Sequence, residues 1–113
     1  MEKKINIGII GGSGYTGLEL VKILARHKYA NLGLITSRSN DGKKISDIYP
    51  SLQGTKYGNL CFTGSPSATD YNGIDILFLC LPPHKSMEYV KNIGQLGNIR
   101  IIDIGSDILY IFH

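Results

Sequence analysis

Three groups of residues in this sequence could do chemistry. The first is a glycine turn: Gly12, Gly14 and Gly17 fit G-x-G-x-x-G, with Ser13, Tyr15 and Thr16 between them. In a dinucleotide site Gly12 permits the tight turn out of a strand. Gly14 removes the side chain where a pyrophosphate must approach the backbone, and Gly17 lets helix and strand pack closely. A helix starting here also turns unpaired N–H groups and a partial positive charge toward the phosphates. The competing reading is a merely structural glycine turn. The second group is Ser37-Arg38-Ser39, about 20 residues further on, where an acidic residue would bind the ribose 2′-hydroxyl of NAD. A guanidinium between two hydroxyls suits a 2′-phosphate instead, through charge-assisted hydrogen bonds. The pattern therefore predicts NADP over NAD, against the alternative of a solvated loop cation at Arg38. The third group is Cys61 and Cys80 with His27, His84 and His113. These form no CxxC and no metal-ligand cluster, so no metal is expected. Both cysteines lie in apolar, strand-like segments, which predicts buried, reduced thiols rather than a disulfide.

These residues need elements to hold them. Ile5, Ile7, Ile9 and Ile10 read as a buried parallel strand, and a helical pattern runs from Tyr15 to about His27. Leu20, Ile23, Leu24 and His27 fall at i, i+3, i+4 and i+7, which predicts the buried stripe; Glu19, Lys22 and Arg26 make the solvated face. Residues 31–38 read as the second strand and carry Ser37 and Arg38 to its carboxyl end. Residues 40–58 are polar and glycine-rich, a loop with one short helical turn near 45–49 and with Lys43 and Lys44 solvated. Residues 60–63 are a candidate short edge strand, and 65–73 are turn-rich.

The run Asp75–Leu81 is continuously apolar after its first residue, as in a strand buried on both faces. It ends in Pro82-Pro83-His84, which cannot continue a ladder. Open α/β sheets bind ligands beyond the carboxyl ends of their strands, which places Leu81, Pro82 and Ser86 beside a cofactor. His84 stands open between a ligand neighbour and a plain turn histidine. Ser86 is expected to N-cap the next helix, with Glu88 in its first turn. Met87, Val90 and Ile93 are expected on its buried face, with Gly94 or Gly97 as the stop. Residues 100–105 form a further strand, with Asp103 and Asp107 near its end. The fold class expected is α/β, a Rossmann-like doubly wound, mostly parallel sheet, built as β-α-β, loop, β, β-α-β.

With 113 residues the chain offers at most one domain, large enough to bury roughly two-thirds of its unfolded surface. It is short for a complete dinucleotide fold of about six strands, so residues 1–113 are expected to be a single but partial NAD(P)-binding domain. Twelve basic and nine acidic residues give a net charge of +3. The basic residues are scattered, which argues against a nucleic-acid partner while suiting an anionic ligand. No signal peptide is visible, and no apolar run approaches the ~20 residues of a membrane span. No membrane partner and a cytoplasmic location are expected. The apolar tail Ile108, Leu109, Tyr110, Ile111 and Phe112 reads as an edge strand, an association surface or the scar of a truncation.

The run Gly-Gly-Ser-Gly-Tyr-Thr-Gly-Leu-Glu-Leu at 11–20 is more specific than the glycine fingerprint. It resembles the opening motif of the N-acetyl-gamma-glutamyl-phosphate reductase family. Three further stretches resemble that family in order and spacing. They are Thr36-Ser37-Arg38-Ser39 with residues 42–54, Leu79 to Ser86 against its Leu-Pro-His-Gly-x-Ser turn, and Ile102 to Asp107 against its Asp-Leu-Ser-Ala-Asp-Phe-Arg segment. Pro83 and Lys85 depart from the turn pattern, and at 108–109 Ile-Leu replaces Phe-Arg. The resemblance implies NADPH-dependent reduction of an acyl phosphate to a semialdehyde in arginine biosynthesis. Phosphate leaves when a cysteine thiolate attacks, and hydride reduces the thioester.

In that family the cysteine stands in Asn-Pro-Gly-Cys-Tyr, and a histidine base lies further on; neither has a counterpart here. Cys61 and Cys80 sit in other segments, so no catalytic residue is assigned and the chain alone is expected to be catalytically incomplete. The resemblance implies NADP as cofactor and an acyl phosphate as substrate, with a homo-oligomer or a partner domain to complete the fold. Alternatives are the related aspartate-semialdehyde dehydrogenase and aminoadipyl reductase, and a non-catalytic NADP-binding module or inactive remnant. A sugar-nucleotide epimerase would want a Tyr-x-x-x-Lys pair, which the tyrosines here do not offer.

Overall fold

The computed structural model describes residues 3–81, 83–93 and 97–104, without the side chains of residues 83, 84, 92 and 93. The expectations for Pro82, Gly94, Asp107 and the apolar tail, and for the side chains of His84 and Ile93, lie outside the described residues.

Four parallel strands form one sheet: β1 (Ile5–Ile10), β2 (Ala30–Ile35), β3 (Ile76–Leu79) and β4 (Arg100–Asp103), in the order β2-β1-β3-β4. Helix α1 (Tyr15–Arg26) connects β1 to β2. The short α2 (Ile45–Ile48) lies in the long connection to β3, and α3 (Pro83–Ile93) connects β3 to β4. The chain leaves β1 to one side and returns on the other. Because parallel crossovers are right-handed, α1 and α3 cover opposite faces. The core divides accordingly. Ile7, Ile9, Leu32 and Ile35 pack with Val21 and Leu24 of α1 and with Ile45, Leu52, Tyr57 and Phe62 of the long connection. Ile10, Leu34, Leu77 and Leu79 pack on the other face with Tyr71 and Ile74, and Tyr89 of α3 joins them. Period-two alternation along β1 and β3 sends successive side chains to these two layers. The register of β1 on β2 slips between Ile7 and Gly8, where Ile7 pairs with Leu32 and Gly8 with Leu34. Leu32 and Ile35 thereby reach the same layer.

Several elements differ from the sequence expectation. The stripe of α1 that is buried is Gly17, Val21 and Leu24; Ile23 is 59% exposed and His27 is exposed. Gly17 must lie against the glycine turn, and that contact sets the rotation of the helix. Glu19 and Lys22 do face outward, paired at 3.6 Å. Residues 60–63 make no full strand. Cys61 bridges Lys44 and Thr63 bridges Thr36, while Thr63 N donates to Ile35 O at 2.9 Å and Ser37 N to Thr63 O at 3.2 Å. The segment thus continues the sheet past the end of β2.

Helix α3 begins at Pro83, not at Ser86. Proline suits a first helical turn, where its missing N–H has no partner to lose. Ser86 is therefore inside the helix and 2% exposed, not a cap, while Met87 and Val90 are exposed at 65% and 46%. The expected buried face of α3 is the outer one. Among the described residues no helix is long and apolar enough to cross a membrane.

Candidate dinucleotide-binding site

The sheet order reverses at β1, whose neighbours β2 and β3 are reached by crossovers in opposite directions. A crevice opens beyond the strand ends at such a point. Here it is lined by Gly11 and Ser13 from the end of β1, Thr36 to Ser39 from the end of β2, Gly64, Leu81 from the end of β3, and Lys85 and Tyr89 of α3. It measures about 230 Å³, below the roughly 300–1,000 Å³ that encloses a drug-sized ligand. It fits one end of a dinucleotide rather than the whole.

The glycine turn is held by β2. Gly12 N donates to Thr36 O at 2.7 Å, Thr36 N to Ile9 O at 2.9 Å, and Gly11 N to Thr36 Oγ1 at 3.0 Å. The residue that needs glycine's left-handed backbone is Gly11, at φ +80°, not Gly12 as the fingerprint suggests. Gly12 is glycine for space: a Cβ there would overlap the Ile35 side chain. A Cβ at Gly17 would run into the backbone of Gly12, whereas one at Gly14 would meet nothing among the described residues within 4 Å beyond its chain neighbours. The helix N-terminus is open on the side where a pyrophosphate would approach.

One brace on this turn comes from far along the chain. The Tyr49 hydroxyl donates to Gly14 O at 2.9 Å, with Gly12 O at 3.4 Å. Burial pushes its pKa above the ordinary phenol value, so the hydroxyl stays a donor. Sequence reasoning missed Tyr49, since nothing local marks a contact 35 residues away.

Ser13, Ser37, Arg38, Ser39 and Leu81 come together in the crevice as expected from their positions. The Ser37 hydroxyl, in a residue 5% exposed, donates to Ser13 Oγ at 3.0 Å and accepts from Asn40 Nδ2 at 3.1 Å. That network fixes the start of the turn Arg38–Asn40 and leaves Arg38 and Ser39 exposed. Among the described residues no carboxylate lines the crevice. Tyr15 is 78% exposed at the start of α1 and Thr16 half-buried; neither lines it. Nor does Ser86, which lines a separate groove with Met87, Val90, Lys91 and Asp103. Its hydroxyl donates to Leu81 O at 3.4 Å, so it shapes the Leu81 corner from beneath. Gly11, Thr36, Gly64, Lys85 and Tyr89 are the lining residues the sequence did not assign to the site. The signal available for Lys85 and Tyr89 was their i, i+4 spacing just after the Leu81 turn.

Residues 6–110 match the family model described as semialdehyde dehydrogenase, NAD binding domain. The chain belongs to this family. It is 38% identical over 103 residues to N-acetyl-gamma-glutamyl-phosphate reductase of Alkalilimnicola ehrlichii and 39% identical over 103 residues to that of Pseudomonas aeruginosa, covering 91% of this chain and 29% of either relative. The reductase of Neisseria meningitidis serogroup A is 38% identical over 107 residues, 95% of this chain and 30% of its own. The chain thus spans about a third of the length of the curated relatives it matches. Among solved structures, aspartate semialdehyde dehydrogenase with NADP from Candida albicans superposes with a TM-score of 0.75 at 16% identity, over 93% of this chain and 30% of that one. A Rex-family repressor, RSP, superposes at 0.64 and 20% identity, over 97% of this chain and 57% of its own. Likenesses at such identities establish the Rossmann-like fold alone. Family membership makes residues 6–110 a semialdehyde dehydrogenase NAD-binding domain.

Neither cysteine lines that crevice. Cys61 is exposed, not buried as its apolar segment suggested, because it sits on the outer face of an extended segment whose inner face is Phe62. Cys80 is half-buried at the end of β3, and burial, with a smaller push from the Asp103 charge, raises its thiol to about 11. The thiolate is the reactive species, so at pH 8 Cys80 stays overwhelmingly protonated. Alkylation with iodoacetamide at pH 8, followed by peptide mass mapping, should therefore modify Cys61 well before Cys80. The Cys80 rate should climb about tenfold per pH unit toward pH 11. Equal rates at the two positions would contradict this placement.

Proposed function

We propose that this chain is the NADP-binding part of an acyl-phosphate reductase of the N-acetyl-gamma-glutamyl-phosphate type, an oxidoreductase of arginine biosynthesis. We further propose that its 113 residues make one partial Rossmann domain. The observation that carries the cofactor choice is the polar end of the crevice. Ser13, Ser37, Arg38 and Ser39 meet there, and among the described residues no carboxylate lines it. An acid would be needed to hold the 2′-hydroxyl of NAD, and it would repel a 2′-phosphate. Bound NADPH would supply the hydride for the reduction. The chain's own residues position it: the α1 N-terminus faces the pyrophosphate, Gly14 leaves it room, and Arg38 with Ser39 takes the 2′-phosphate. Gly12, Tyr15, Thr16 and Gly17 build the turn; Leu81 flanks the adenosine end, with Ser86 beneath it.

The family resemblance and the names of the relatives support the acyl-phosphate reaction. The reading of a non-catalytic NADP-binding module rests on a specific observation. Neither Cys61 nor Cys80 lines the crevice, and Cys80 is held protonated, so neither supplies the nucleophile. In either reading the nucleotide site is the same.

Fluorescence titration of the purified chain with NADPH and NADH tests the proposal. NADPH should bind more tightly, and Arg38→Ala should weaken NADPH by roughly 10–100-fold, as expected for hydrogen bonds to a charged group, while changing NADH less than about twofold. A folded chain that binds neither nucleotide would sink the assignment.

A further inference from the structure

We infer that Lys85 is a second specificity-determining cation, closing on the 2′-phosphate of the cofactor from the side opposite Arg38; this rests on the NADP reading above. Lys85 is exposed on the first turns of α3 and lines the same crevice as Arg38, although the two come from the ends of different strands. Among the described residues neither is ion-paired. A phosphomonoester carries a charge of about −1.5 to −2 near neutral pH. One guanidinium leaves part of that charge uncompensated, and the remaining polar groups on the Arg38 side are serine hydroxyls without charge. Among the described residues the only other cation lining the crevice is Lys85.

Its neighbours on α3 fit the same arrangement. Tyr89, one turn on, is half-buried against Leu81 and the Leu77–Leu79 layer, so it offers a fixed wall to the adenosine while Lys85 remains free to reach outward. Ser86, between them, is buried and holds the Leu81 corner in place. The ammonium is a compact point charge on a flexible stem, suited to following a phosphate rather than to reading its geometry. The two cations thus act differently on one phosphate, Arg38 by fixing its orientation and Lys85 by adding charge.

The test is a titration of the 113-residue chain and of Lys85→Gln and Lys85→Arg with NADPH and NADH. Lys85→Gln should weaken NADPH roughly fivefold, the value of one exposed charge pair, and leave NADH within about twofold. Lys85→Arg should restore most of the NADPH affinity. The NADPH advantage of the unaltered chain should shrink below about pH 6, as the phosphate takes up its second proton, and shrink less in Lys85→Gln. Equal weakening of both nucleotides, or no change in either, would overturn the role of Lys85 while the Arg38-dependent NADPH preference stood. Loss of that preference in the unaltered chain would overturn both.

Discussion

Replacing Gly17 by alanine should destabilise the fold by about 3 kcal/mol or more and lower the melting temperature by on the order of 10–20 °C. The added Cβ would overlap three backbone atoms of Gly12. A flexible side chain could move aside, but this backbone cannot. Gly12 N is held by Thr36 O at 2.7 Å, and Gly12 itself is pressed against Ile35. Relief would require α1 to lift from the sheet, withdrawing Val21 and Leu24, both buried in the layer shared with Ile7, Ile9 and Ile35. Alanine's better helix propensity offers only about 1 kcal/mol in return. Thermal and urea denaturation followed by circular dichroism would measure the change. A variant melting within a few degrees of the unaltered chain would show that α1 is not seated as described.

What could be read from the sequence follows how local each determinant is. The strand, glycine turn and helix of residues 5–26 were legible because spacing, burial and backbone freedom all speak within one short stretch. The rotation of α1 was not. Leu20, Ile23 and Leu24 make a sound helical stripe by spacing alone, and the choice of Val21 over Ile23 is settled by Gly17 meeting Gly12 across the turn. In α3 two start signals compete, a serine cap at 86 and a proline first turn at 83. Proline wins, and the shift turns Met87 and Val90 outward and Ser86 inward.

In the site, Ser37, Arg38 and Ser39 were legible from their distance past the glycines. Tyr49 was not, because its bond to Gly14 spans a glycine-rich loop whose path depends on Phe62 and Ile45 being buried. That path also explains the edge of the sheet. Leu32 N of the outer strand β2 donates to the Tyr57 hydroxyl at 3.0 Å, so a loop side chain occupies a ladder position that would otherwise be open. A segment that read as a loop with one short helical turn, present as α2, therefore covers one edge and braces the glycine turn.

Gly14→Ala should behave in the opposite way from Gly17→Ala: it should fold normally and lose nucleotide affinity by roughly 10–100-fold. The backbone at Gly14 has φ −92° and ψ −175°, extended and open to any residue. Apart from its chain neighbours, no atom of the described residues lies within 4 Å of the added Cβ. Glycine exceeds alanine as a helix cap by a modest amount, but alanine also restricts the unfolded chain, worth about 0.4–1 kcal/mol in favour of folding. The two nearly cancel, so the melting temperature should move by only a few degrees. The carbonyl of Gly14 still accepts from Leu18 N at 3.0 Å and from the Tyr49 hydroxyl, so the turn keeps its shape. In the proposed site the methyl group would occupy the space through which the pyrophosphate reaches the helix N–H groups, where close approach gives charge-assisted bonds their strength. The pyrophosphate is common to both nucleotides, so NADPH and NADH should weaken by the same factor. Arg38→Ala and Lys85→Gln should instead affect NADPH alone. A Gly14→Ala chain with unchanged melting and unchanged affinity for both nucleotides would show that the pyrophosphate does not sit at the start of α1.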